Sequence, residues 1–390
     1  MLGIKSKYVL KKIFVNINEI KSLNIIRNSK KFQSLLGITI ANYESAYKEY
    51  SKIEIEVSLN DDNKVDFNKF IEKVNENPYF HFENKENDNK YILNIDVEVE
   101  SLEGLFDGYL SINEINFIKF NRKDIKNMSK MFNSCINLTK MDLSKIRTNN
   151  VEDMSCMFAS CLSLQNVDLS NFNTSKVINM SHMFYNCNNL QELDVSSFNT
   201  SKVSSMDFMF YRCESLKKLN LYNFNTSKVI NMERMFDLCK NLEKLNISNF
   251  DTSNVIQMNW MLSQCSSLKA LNLEHFNTKN VINMSAMFYG CKSIKDLKLS
   301  NFDTSKVNKM NKMFESCEAL SELNISNFNL SKVIDISDMF KGCTALTNLN
   351  IPDFNLDNIK NKKGIFSNCS DELKAEIKNK YKNINEEIFQ

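Results

Sequence analysis

Apolar and polar positions recur along most of the chain with a period of 26 residues. In the unit that begins at Val203, the apolar positions Val203, Met206, Met209, Phe210 and Cys213 are spaced 0, 3, 6, 7 and 10, which predicts one face of a helix. Asn199 is placed to cap that helix, with Phe198 and Val203 at the spacing of a hydrophobic staple. Leu216, Leu219 and Leu221 follow. Leu219 and Leu221 alternate with Lys218, Asn220 and Tyr222, the pattern of a short strand buried on one side. A helical segment and a strand in each unit predict an α/β solenoid: a right-handed, curved stack with a parallel sheet on its concave inner face.

The period fixes the domain limits. Ten of the eleven cysteines fall at 135, 161, 187, 213, 239, 265, 291, 317, 343 and 369, and Cys156 lies outside the column. The register extends back to Val99, with Tyr109 in the cysteine slot, so eleven units are expected over residues 99–370. Residues 371–390 are charged and read as a helix that closes the open end. Residues 1–98 form a separate α+β cap. Its first fifty residues read as helices, with Val9, Leu10, Ile13, Phe14 and Ile17 on one face and Ile20, Leu23, Ile25 and Ile26 on another. Residues 52–59 alternate as a strand, 65–77 read as a helix, and 90–99 as a strand running into the first coil.

The unit NMSxMFxxCxxLxxLDLSNFNTSKV resembles the BspA-like leucine-rich repeat over residues 99 to about 370. That resemblance implies a non-enzymatic protein-binding surface, often used for adhesion to host proteins or other cells. The order VLKKIFVNI…SLNIIRNSKKFQSLL is faintly similar to an F-box, although the opening Leu-Pro is missing and Phe32 stands where Trp is usual. An F-box would imply docking on a Skp-type adaptor of a ubiquitin ligase through Leu10, Ile13, Phe14 and Leu23.

Composition narrows the chemistry. The net charge is +2, so no overall field points to nucleic acid. No run of apolar residues is long enough to span a membrane. The start lacks an apolar signal-peptide core and a lipoprotein cysteine, so a cytoplasmic location is expected, with the cell surface as the family's alternative. His81, His182 and His275 are scattered, and neither a phosphate loop nor a metalloprotease motif occurs, so no catalytic residue, cofactor or metal is expected. One cysteine per coil does not converge on a metal and reads as core.

A binding face must therefore come from columns that vary. On the outward side of the strands an acidic zone, Asp168, Glu192 and Asp194, adjoins Lys218 and Lys244, with Tyr222 beside them. These six residues are the expected contact with a protein partner. Phe208 and Trp260 share a column on the other side and form a candidate second patch.

Overall fold

The computed structural model describes residues 51–60, 64–85, 89–96, 99–352, 358–381 and 385–390, together with Ser29, Lys30, Gln33, Ser34, Lys48 and Leu356. The expected helical faces of residues 9–26 and the F-box-like positions Leu10, Ile13, Phe14 and Leu23 lie outside the described residues.

The repeats form a β-solenoid with parallel pairing between coils. The helix expected in each unit does not form, which corrects the α/β reading. In its place the chain makes a pair of tight turns with two left-handed residues, Lys130 and Ser134 in one coil, Phe208 and Arg212 in another. Half of the N–H groups stay local: Met131 donates to the Met128 carbonyl and Asn133 to Lys130. The alternate ones leave the coil. Met128, Lys130, Phe132 and Ser134 donate to the carbonyls of Asp153, Ser155, Met157 and Ala159, each 25 residues ahead. A left-handed residue costs roughly 1–2 kcal/mol. Here the hydrogen bonds between coils offset that cost. The expected helix cap Asn199 instead accepts the Ser201 N–H at 3.0 Å, a local side-chain turn.

Two ladders run along the stack. One consists of three-residue strands: β5 (Lys140–Asp142), β6 (Lys218–Asn220), β7 (Lys244–Asn246), β8 (Asp296–Lys298), β9 (Glu322–Asn324) and β10 (Asn348–Asn350). The other is a line of parallel bridges from Ser101 through Asn127 and its equivalents to Asn361. Between the ladders, phenylalanine rings stack coil on coil, with Phe132 and Phe158 5.5 Å apart and Phe184 and Phe210 5.7 Å apart. Leu262 interrupts the column once. The column cysteines are free and buried, and each thiol donates to the phenylalanine-slot carbonyl of the coil before, Cys187 to Phe158 at 3.0 Å. Burial pushes the Cys187 and Cys291 thiols up to about 12.

A buried threonine clamps neighbouring coils in seven places, from Thr148 to Thr304. The Thr200 hydroxyl accepts the Asn225 N–H at 2.7 Å and donates to the Asn225 carbonyl at 3.0 Å. Thr148 holds Asn173 in the same double way. One side chain thus satisfies both backbone groups of a residue in the next coil.

Both ends are closed. At the first, β1 (Ile53–Leu59), α1 (Lys64–Asn75), β2 (Phe80–Lys85) and β3 (Lys90–Ile95) build a small antiparallel sheet with one helix. β1, rather than the expected β3, lies against the first coil, pairing antiparallel with β4 (Ile112–Phe120). β4 pairs in parallel with β5 on its other edge, so the cap and the stack share one sheet. Phe70 of α1 covers the first coil, 4.3 Å from Tyr109 and 5.6 Å from Phe106. At the far end, α2 (Asp371–Lys380) is capped by the Ser370 hydroxyl. A short 3-10 turn, Glu386–Phe389, then returns to the stack. The carbonyls of Glu387 and Ile388 accept the N–H groups of Gly364 and Phe366, taking the place of a further coil, and Phe389 extends the ring column 6.0 Å beyond Phe366.

Two substitutions test this packing. Leu219 is 3% exposed, and Leu219→Ala is expected to lower unfolding free energy by roughly 2–5 kcal/mol, whereas Lys218→Ala on the outward side changes it by no more than about 0.5 kcal/mol. Thr200→Val keeps the shape but strips both partners from Asn225, and a loss of about 1–3 kcal/mol is expected. Denaturant titration reads both; a neutral Thr200→Val would show that the clamp is idle.

Candidate functional site

The strand ladder is not continuous. It pairs as β6 with β7 and as β8, β9 and β10, and the coils containing Glu192–Asp194 and Ala270–Asn272 form no strand. Three shallow hollows lie in a row along this face, over the paired β6 and β7 and the unpaired coils on either side. The first, about 680 Å³, is lined by Glu192, Asp194, Lys217 and Lys218. The second, about 590 Å³, is lined by Lys218, Lys244 and Lys269 around Leu219, Leu245 and Ala270. The third, about 430 Å³, continues past Leu271 to Lys295, Asp296 and Lys298.

Four of the six expected contact residues, Glu192, Asp194, Lys218 and Lys244, line the first two hollows. Asp168 and Tyr222 line none of the three. Tyr222 is nonetheless 57% exposed, the most exposed of the large apolar side chains described. Asp168 and Asp194 accept the N–H groups of Ser170 and Ser196 at 2.9 Å, and these hydrogen bonds hold their carboxyls below the usual range. Both stay ionised while they shape their own turns.

Sequence reasoning missed part of the face. Lys217, Lys269 and Lys295 share a column one residue before the strand positions, with Glu243 between the first two. Like Lys218 and Lys244, they have no carboxylate within 4.0 Å among the described residues, whereas Lys298 reaches Glu274 at 3.6 Å. Leu193, Leu245 and Leu271 are only partly buried, which gives the hollows an apolar floor. Ala270 is the one small residue in its outward column and opens space beside Lys269. The half-exposed leucines were not legible, because they share a column with the fully buried Leu219 and Leu297.

The second patch lies on the turns. Phe208 and Trp260 stand two coils apart, and Arg234 lies between them, 5.9 Å from the Phe208 ring and 4.5 Å from Trp260. His182 stacks on Phe208 at 4.6 Å, and Tyr185 stacks on Tyr211 at 4.8 Å. Beneath them Arg234 pairs at 2.7 Å with Asp237, which is 2% exposed and whose carboxyl burial pushes up. Along this ladder ring faces meet one another or the Arg234 guanidinium, so a ligand meets mainly ring edges. His275 plays a different part: its ring bonds the Ile247 carbonyl at 2.9 Å, as Asn301 in the next coil bonds Leu273. Among the described residues no three His, Cys, Asp or Glu side chains converge on a metal position.

These features define a repeat solenoid with a grooved polar face. The chain belongs to the family described as "Mycoplasma protein of unknown function, DUF285", whose model matches residues 76–192, 100–219, 161–271, 213–298 and 257–380. No curated protein and no solved structure matches it. No helix among the described residues is long and apolar enough to cross a membrane.

The stacked ladder makes stability depend on pH. Burial lowers the affinity of His182 for a proton, against the opposing pull of Asp207 and Glu233. The unfolded chain therefore takes up the proton first, and stability falls as pH drops below about 6.5 until the folded ring titrates as well. His182→Phe is expected to flatten this dependence in thermal melts between pH 7.5 and 5; an unchanged slope would place its origin elsewhere.

Proposed function

We propose that the chain is a non-enzymatic protein-binding scaffold whose strand face receives a protein partner. In this reading the face is the concave side of a right-handed arc of BspA-like coils, and cell adhesion is the setting that the resemblance supports. The observation that carries it is the row of three hollows. They lie on outward columns that change from coil to coil, Glu192, Lys218, Lys244, Ala270 and Asp296, while the buried columns beneath barely change. Tyr222 and the unpaired lysines supply affinity, and Asp168, Glu192 and Asp194 set the partner's direction. Phe208 and Trp260 serve mainly to stiffen the turns.

The test uses a photo-crosslinking residue placed at position 222 or 270, with position 199 on the turn as control. In native cells the first two are expected to capture one and the same protein and the control none. Lys218→Glu with Lys244→Glu is expected to abolish that capture. Equal capture from position 199 refutes the assignment of the face.

A further inference from the structure

A second exposed surface runs beside the line of bridges, away from the strand face. Ile178, Ile230, Ile256 and Ile334 are 48%, 51%, 40% and 40% exposed, and Ile282 is half-buried in the same column. They make up most of the exposed large apolar side chains described. Each follows a buried valine, Val177 before Ile178 and Val229 before Ile230. The residue before that valine ends a turn, and where it is lysine it is exposed as well. In five coils it is lysine: Lys176, Lys202, Lys228, Lys306 and Lys332. Between Lys176 and Ile334 these two columns contain no carboxylate. Lys176 and Lys306 bond the side-chain oxygens of Asn150 and Asn280, and none of the five has a carboxylate within 4.0 Å among the described residues.

The stripe is continuous because every coil repeats the one before through the same hydrogen bond, Ile256 N–H to the Ile230 carbonyl and Ile282 N–H to Ile256. Six coil steps at about 4.8 Å give it a length of about 30 Å. Ser204 and Asn308 interrupt the isoleucine column, but apolar area that recurs in five of its seven positions marks a contact surface. Three properties select its occupant. The uncompensated lysines call for negative charge, and they repel the same face of a second copy. Neither column contains tryptophan, tyrosine or arginine between Lys176 and Ile334, the side chains that usually anchor a protein hot spot. Branched aliphatic side chains flanked by long cationic ones suit the boundary between lipid headgroups and acyl chains.

We propose that this isoleucine–lysine stripe lays the solenoid against an anionic lipid surface. The lysines reach the headgroup phosphates, and the isoleucines enter the shallow apolar layer beneath. The rod then lies flat, and the strand face remains open to a partner.

The test is flotation of the full chain with phosphatidylcholine vesicles, with and without phosphatidylglycerol. Binding is expected only where phosphatidylglycerol is present, and weaker at high salt. Ile230→Ser with Ile256→Ser, and separately Lys202→Glu with Lys228→Glu, are each expected to weaken it by more than about tenfold. Tyr222→Ala on the strand face is expected to leave it unchanged. All these side chains are exposed, so matching thermal midpoints confirm that the variants are folded. Failure to bind phosphatidylglycerol vesicles overturns the proposal, as does binding that the isoleucine pair does not affect. Capture of an acidic protein by a crosslinker at position 256, without vesicle binding, overturns it in favour of a second protein contact.

Discussion

Everything in this molecule depends on one requirement: the N–H groups of a coil must find carbonyls in the next coil, 25 residues on. In a globular domain the backbone satisfies itself inside helices and sheets of varied shape. Here each bond between coils recurs at the same point of every copy, so each coil has to superimpose on its neighbour. The phenylalanine column, the thiol-to-carbonyl bonds and the threonine clamp follow from that superposition. A buried side chain that fits one coil fits the next. This is why the inner columns scarcely change and the outer ones are free to do so.

The repeat, its register and its core were legible because burial leaves a strict periodic mark. Every column cysteine is buried, as the spacing implied. The helix was misread because apolar positions spaced 0, 3, 6, 7 and 10 also suit two consecutive left-handed turns. A contrary sign was present. The columns of Lys130 and Ser134 contain glycine at 104, 108, 290, 342 and 364, and no valine, isoleucine or threonine in any coil. That is the pattern expected where φ is positive, which β-branched residues avoid. In the cap, β1 and α1 were readable from alternation and helical spacing. β2 was missed because residues 80–85 show no sustained alternation, and Phe82 finds its ring partners at a distance, in Phe67 and Phe70 of the helix.

The candidate site was half legible for a related reason. Which residues face outward follows from the strand alternation, and so Lys218, Lys244, Glu192 and Asp194 could be named. Where the sheet lapses is a matter of small shifts between coils, and no single residue type records it. The hollows therefore enlist lysines and leucines whose letters match those of ordinary columns.

The closed ends bear on how such a chain changes over generations. Phe70 seals one terminus and Phe389 the other, and the only rings of the stack that either is seen to meet belong to the coil beside it. An interior coil meets only interior neighbours. A duplication or deletion of one whole period in the gene therefore disturbs neither lid and breaks no register. The rod's length becomes a countable trait, altered in steps of about 4.8 Å. Lineages can set the reach of this protein by arithmetic on its repeats, without redesigning any contact.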